Sequence, residues 1–204
     1  MKCEATMRVP LWKPREVKRS DWLDANVPEG KWGASLEALP ENIPGVAGYR
    51  LKIQTYLAVM KENIEKGQGL LLHGPYRSGK SCLAALCCKE VLGHRCSAYW
   101  LEAFELVDGW IQKDNRYASF RDAHILVLDD LGTEAQDAGR DFPRQIVRES
   151  MRYRLERLRP VVITTNLSPE EMKKAYGGKF MALIGDYLLA VNISGAEGHW
   201  KTRR

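Results

Sequence analysis

From residue 46 onward, short, wholly apolar runs alternate with stretches in which apolar residues recur every three or four positions. Tyr49, Ile53, Leu57, Met60 and Ile64 keep the helical period, and Gly67 closes it. Leu70-Leu71-Leu72 then reads as a buried strand, 81–92 as a helix, 98–101 as a strand, 104–111 as a helix and 125–128 as a strand. A helix over 142–158 follows, with Asp141 expected as its N-cap and Pro143 in its first turn. Its buried stripe is expected to be Val147, Met151, Leu155 and Leu158. The run 161–164 is another strand, and Ser168-Pro169-Glu170-Glu171 reads as a capping box opening a further helix. Strands that are apolar throughout, rather than alternating, need cover on both faces. Separated by helices, they predict an α/β fold with a parallel sheet between two helical layers.

Residues 1–45 carry no such period. Trp12, Trp22 and Trp32 stand among Pro10, Pro14, Pro28, Pro40, Pro44 and basic side chains. That pattern predicts an extended arm with at most one short helix, whose tryptophans need a surface to bury against. The expected organisation is this arm followed by one domain over 46–204.

Composition narrows the setting. The chain has 204 residues, 45% of them hydrophobic, enough for one main domain with a sizeable core. A net charge of +5 suits nucleic acid or an acidic protein surface as partner, and equally an ordinary basic protein. The five cysteines form no C-x-x-C pair and stand at no metal-binding spacing with the histidines, which predicts reduced thiols and a cytoplasmic location. No run approaches the roughly 18 apolar residues of a membrane span, so no membrane partner is expected.

Three polar constellations interrupt the apolar runs at their carboxyl ends. The first, GPYRSGKS over Gly74–Ser81, has the spacing of a phosphate-binding loop and lies between a strand and a helix, the context that gives the pattern its meaning. Backbone N–H groups from Gly74, Pro75, Tyr76, Arg77, Ser78, Gly79, Lys80, Ser81 and Cys82 (proline excepted) line such a cradle, and the helix N-terminus favours negative charge there. Lys80 is expected to reach the β- and γ-phosphates of ATP, and Ser81 to ligate Mg²⁺. The pattern leaves Arg77 open between solvent, nucleotide and a neighbouring subunit. The second constellation, HILVLDDLG, ends a strand in Asp129, the expected metal-side acid, and Asp130, the expected base or water-orienting carboxylate. The third, RPVVITTN, ends a strand in Asn166, whose amide is expected to orient the attacking water.

With these motifs in this order, the chain resembles the AAA+ ATPases, and within them the DnaC/IstB-like group of helicase loaders and transposition helpers. GPYRSGKS, ILVLDDLG, RYRLERLRPVVITTN and KFMALIGDYL carry the resemblance, which spans roughly residues 32–204. It implies an AAA+ P-loop fold with a five-stranded parallel sheet of order 5-1-4-3-2, ATP with Mg²⁺, homo-oligomers holding ATP between subunits, and single-stranded DNA. It also implies DNA contacts in the connection before the second motif, here Lys113, Arg116 and Tyr117. A rival DNA surface is Arg144, Arg148 and Arg152, which recur every four residues along one helix.

The chain departs from the group in two places. Members carry an arginine in a segment like S-R-L-I-G-D that reaches a neighbour's γ-phosphate; Ala182 stands there in this chain. Near the end, where the group has an arginine after an aromatic, the chain has Trp200-Lys201. The stretch after Asn166 is too short for a full helical lid. The expected function is therefore an ATP-binding switch of the helicase-loader kind that hydrolyses slowly, with Arg77, Arg154 or a partner as the source of a replacing cation and a replicative helicase as protein partner. The alternatives are a regulator that recruits a transposase, and a P-loop kinase acting on a small metabolite.

Overall fold

The computed structural model describes residues 14–39, 45–113, 116–134 and 141–194, with 116–118 described by backbone alone. Cys3, Pro10, Trp12, Pro40, Pro44, Trp200 and Lys201 lie outside the described residues.

In chain order the elements are α1 (Arg19–Asp24), α2 (Val46–Ala58), α3 (Met60–Lys66), β1 (Gly69–His73), α4 (Lys80–Gly93), β2 (Ala98–Glu102), α5 (Ala103–Gln112) and α6 (Arg116–Asp122). They continue with β3 (Ile125–Leu131), α7 (Phe142–Leu155), β4 (Val161–Thr165), α8 (Pro169–Tyr176), α9 (Gly178–Tyr187) and β5 (Leu188–Asn192). All the strand pairs are parallel, in the order β2-β3-β4-β1-β5. This is the expected sheet read from the other edge.

Successive strand residues feed two cores. Leu70, Leu72, Trp100, Ile125, Val127 and Val162 face α2 and α4. Leu71, Leu101, Leu126, Leu128 and Ile163 face α5, α7, α8 and α9. Both faces are covered, which is why the strands read as continuous apolar runs.

Several local expectations are corrected. The helix expected to run unbroken to Gly67 divides at Val59 into α2 and α3, and Gly67 does terminate α3 in the left-handed conformation, φ 71°. Asp141 has helical backbone angles and makes no side-chain cap; its carboxylate instead receives both Arg148 nitrogens, at 3.1 and 2.9 Å. Leu158 leaves the buried stripe because α7 stops at Leu155, and a positive φ of 53° turns its side chain out to solvent. Ile146 and Arg154 are buried on α7 in addition to Val147, Met151 and Leu155. The Ser168 capping box forms as read, with Ser168 Oγ accepting from Glu171 N–H at 3.2 Å and Glu171 Oε2 accepting from Ser168 N–H at 2.8 Å.

The described part of the arm is folded onto the body. Residues 14–39 form α1 and two 3-10 turns, Glu29–Lys31 and Leu36–Ala38. Trp22 is buried and stacks on Trp32, ring centroids 6.2 Å apart. Beside the open edge of β2, Trp100 N–H donates to Ala25 O at 2.9 Å, and Asn26 Nδ2 donates to Trp100 O at 2.9 Å. A sheet edge left bare is a hazard that such cover removes.

Candidate functional site

The order β3-β4-β1 brings the three motifs side by side, because parallel neighbours end at the same side of the sheet. In open α/β sheets that carboxyl edge is where ligands bind.

The phosphate loop leaves β1 at Gly74, whose N–H donates to Thr165 O at 3.3 Å. Gly74 has φ +150°, and a Cβ there would lie 2.1 Å from Ile193 O, so no other residue fits. Gly79 turns the chain into α4 at φ 94°. Arg77 also has a positive φ, 60°, a conformation costing a side-chain-bearing residue about 1 kcal/mol or more. The spacing of the motif admits arginine here, but the backbone does not favour it. Tyr76 and Arg77 both point their side chains to solvent.

Lys80 opens α4 and is only 5% exposed. Its ammonium donates to Pro75 O at 2.7 Å, Gly74 O at 3.0 Å and Asn166 Oδ1 at 2.8 Å. The first and third motifs are thus joined through one hydrogen bond. Burial, and after it the Lys80 charge, holds His73 below its ordinary pKa.

Asp129 is buried at the end of β3, and burial pushes its carboxyl up, as does the Asp130 charge. Hydrogen bonds from Thr164 and Ser81 oppose that rise. Thr164 serves both acids: its hydroxyl donates to Asp129 Oδ1 at 2.5 Å and accepts from Asp130 N–H at 2.9 Å. The register of β3 on β4 shifts between Leu128 and Leu131, and Asp130 sits in that irregularity with φ 54°. Bulges and left-handed residues of this kind redirect side chains at functional edges.

The chemistry of the donor set fits a polyphosphate and a hard divalent cation. Gly74, the loop N–H groups and the α4 N-terminus form an anion cradle; Lys80 supplies a cation; Ser81 and Asp129, close enough for the Ser81 hydroxyl to act on the Asp129 carboxyl, offer oxygen ligands. Cys82 lies one residue further and is buried in the core, where burial raises its thiol pKa, so only its backbone can face the loop.

Sequence reasoning missed two members of this edge. Glu102 ends β2 directly beside Asp129 in register, and its carboxyl is pushed up by burial and by Glu105, Asp129 and Asp130. The signal was present, since an apolar run ending in an acid, AYWLE, repeats the pattern of ILVLD. Thr164 gave none, because a threonine inside a strand is ordinary.

The DNA candidates lie elsewhere. Arg144, Arg148 and Arg152 line one side of α7, where Arg152 pairs with Glu156 at 3.4 Å. Lys113 follows α5 as an exposed left-handed residue, while the Arg116 and Tyr117 side chains lie outside the described residues. Close to Lys113 in the chain, Trp110 of α5 meets Phe142 of α7 edge to face at 5.5 Å, the two rings 38% and 48% exposed. Ala182 is on the exposed side of α9, opposite buried Phe180 and Ile184. Arg154 is fully buried, its guanidinium donating to Phe120 O, Ala123 O and Pro160 O, and so cannot supply a cation to a neighbour.

The sheet order and the loop between β1 and α4 give this chain the fold of AAA+-type P-loop domains. No family model matches the chain, and no curated protein matches its sequence. Among solved structures, the DnaC helicase loader superposes with a TM-score of 0.71 at 21% identity, covering 82% of this chain and 100% of that one. DnaI gives 0.67 at 22% identity, with 87% and 94% covered. The replication initiator DnaA bound to AMPPCP and single-stranded DNA gives 0.62 at 11% identity, with 79% and 50% covered. At these identities the likeness is one of fold. No helix among the described residues is long and apolar enough to cross a membrane.

Proposed function

We propose that this chain is an ATP- and Mg²⁺-binding AAA+ switch of DNA replication, acting in the cytoplasm as a homo-oligomer that engages single-stranded DNA and a replicative helicase. The observation that carries the reading is the convergence of Lys80, Ser81, Asp129, Asp130 and Asn166 at the carboxyl ends of the adjacent strands β1, β4 and β3. The similarity to a helicase loader and to a nucleotide-bound replication initiator supports the setting.

In this reading the loop N–H groups and Lys80 hold the phosphates, while Ser81 and Asp129 hold the cation. Bound Mg²⁺ supplies charge that offsets what develops on the transferred phosphoryl group. Asp130 accepts a hydrogen bond from the attacking water, and Asn166, fixed by Lys80, orients that water. Ala182 leaves the site without a cation from the neighbouring subunit, so hydrolysis is slow and the ATP-bound assembly long-lived. The exposed Trp110 and Phe142 rings offer faces on which unpaired bases stack.

Calorimetric titration with Mg-ATP tests this directly. Lys80→Ala should abolish binding, and Asp130→Asn should spare binding while slowing hydrolysis. Unchanged nucleotide affinity in Lys80→Ala would overturn the assignment.

A further inference from the structure

Between α7, α8 and α9 lies an open cavity of about 610 Å³ that the nucleotide site does not use. Arg148 and Arg152 form one wall and Lys179 the other, with Glu149 the acid in the lining; Arg148 also pairs with Asp141 and Arg152 with Glu156 at the rim. Tyr176 and Phe180 make its floor, and both are buried, so no base can stack on them. The cavity therefore suits a phosphate group rather than a nucleobase.

Its floor is wired to the acidic edge. The Tyr176 hydroxyl donates to Glu134 Oε1, and Glu134 Oε2 accepts from Gly132 N–H at 2.8 Å. Between them Thr133 folds back on Asp130, its hydroxyl donating to Asp130 O at 2.8 Å and its N–H at 3.2 Å. Residues 131–134 follow Asp130 directly, so the hold of α8 on Glu134 acts together with Thr164 on Asp130 N–H and Thr165 on Leu131 O to set the backbone that aims the Asp130 carboxylate.

We infer that the α7–α9 cavity binds a backbone phosphate of single-stranded nucleic acid, and that the Tyr176–Glu134 contact passes this binding on to Asp130. The inference rests on the ATPase and DNA reading above and deepens it. Three features favour a nucleic-acid strand as occupant. Arg144, Arg148 and Arg152 recur with a rise of about 6 Å per step along α7, comparable with the spacing of phosphates in an extended single strand. The same helix begins at Phe142, where the exposed Trp110–Phe142 pair on its α5 side offers base-stacking faces close to its first turn. Finally, the acid partners of Arg148 and Arg152 are solvent-exposed, in ion pairs that a phosphate can displace, and the charges of Arg144 and Arg148 both reach the Tyr176 hydroxyl. A phosphate arriving there draws Arg148 away from Asp141 and places negative charge beside the Tyr176 hydroxyl that holds Glu134, which loosens the loop behind Asp130.

The test uses the full chain with Mg-ATP and a labelled oligothymidylate, read by anisotropy over a range of salt. The combined variant Arg148→Gln, Arg152→Gln, Lys179→Gln should reduce the log–log salt slope by roughly two, at about 0.7 per lost contact for single strands. Lys179→Gln alone, a single surface change on α9, should reduce it by about 0.7. Tyr176→Phe keeps the ring and removes the donor; it should leave the salt slope as in the wild type while bringing the ratio of hydrolysis rates with and without oligonucleotide to about one. A wild-type slope in both cation variants overturns the phosphate site while leaving the DNA reading intact. A Tyr176→Phe ratio equal to the wild type's overturns the coupling. If the cation variants instead lose self-association and keep the slope, the cavity is a subunit interface and the inference fails. Absence of oligothymidylate binding by the wild type removes both this inference and the DNA reading on which it stands.

Discussion

Replacing Thr164 by valine tests the arrangement of the acidic edge most sharply. The two side chains have nearly the same shape, so packing in β4 is kept while one hydroxyl is lost. That hydroxyl is fully buried and has two partners, the Asp129 carboxylate at 2.5 Å and the Asp130 N–H at 2.9 Å. A hydrogen bond to a charged group contributes about 1.5–3 kcal/mol, and a backbone N–H left without an acceptor costs about 1–3 kcal/mol. Relaxation and entering water recover part of this, so Thr164→Val should lower unfolding free energy by about 2–4 kcal/mol, against about 1 kcal/mol for Thr164→Ser, which keeps the hydroxyl. Function should split the same way. Without its donor, the Asp129 carboxyl rises further above the ordinary carboxylate range, and apparent Mg²⁺ affinity in ATP binding should fall in the valine variant and persist in the serine variant. Urea unfolding and a Mg²⁺ titration read the two effects separately. A valine variant as stable as the serine variant, with wild-type Mg²⁺ affinity, would show that Thr164 is only a packing residue.

Arg77→Gly should raise the unfolding free energy by about 0.5–1 kcal/mol, because glycine removes the cost of φ 60° and gives back part of it as unfolded-chain entropy; a lower melting temperature would mean the exposed side chain has a compensating contact. Asp21→Asn should destabilise residues 14–39 by about 1 kcal/mol at neutral pH, once the pairing with Arg15 at 2.6 Å is discounted for solvent screening. Hydrogen bonds from Arg15 hold the Asp21 carboxyl down at about 2, so its contribution is complete above the unfolded value of 3.8 and disappears as pH falls through about 2; hydrogen exchange at Trp22 and Ala25 should show the variant and wild type converging there. Arg154→Met should cost about 2–4 kcal/mol by leaving the carbonyls of Phe120, Ala123 and Pro160 without donors, and a neutral outcome in urea unfolding would mean that relief of the buried charge, whose pKa burial pulls down to about 9, offsets the whole loss.

What could be read from the chain and what could not follows from how locally each feature is determined. β1, β3 and β4 are central strands, apolar at nearly every position, and each ends in a polar motif, so both the strands and the motifs announce themselves. β5 is an edge strand in which only Leu188 and Val191 are buried, and it follows α9 without a turn residue between them. Its sequence therefore reads as a continuation of the preceding helix. Asp141 looks like an N-cap by position, but a bidentate arginine one face along α7 competes for its carboxylate more strongly than a backbone N–H does. The tryptophans of the first segment carry no period because their burial is set by β2 and α4, far away in sequence. The positive φ of Arg77 and of Asp130 is likewise a property of the assembled edge, where the loop and the strand irregularity hold residues that their side chains alone would disfavour.

If ATP lies between subunits, a cation contributed across the interface is worth about 10³–10⁵ in hydrolysis rate, since it neutralises charge that appears only as the phosphoryl group transfers. Of the two arginines in this chain that could replace it, Arg154 is committed to three buried carbonyls, and Arg77 stands on the phosphate loop itself, exposed. Arg77 could act only within its own subunit, or on whatever surface docks against that loop. Ala182 is exposed on α9, so an arginine placed there meets no core and keeps its reach into solvent or a neighbour. Ala182→Arg should therefore raise the ATPase rate only at protein concentrations where subunits associate, and mixing with Lys80→Ala subunits should remove the gain in proportion to the fraction of interfaces they occupy. A fast wild-type rate that does not depend on concentration, together with indifference to Ala182→Arg, would mean that the site is completed within one subunit, with Glu102, Asp130 and Arg77 the first groups to examine.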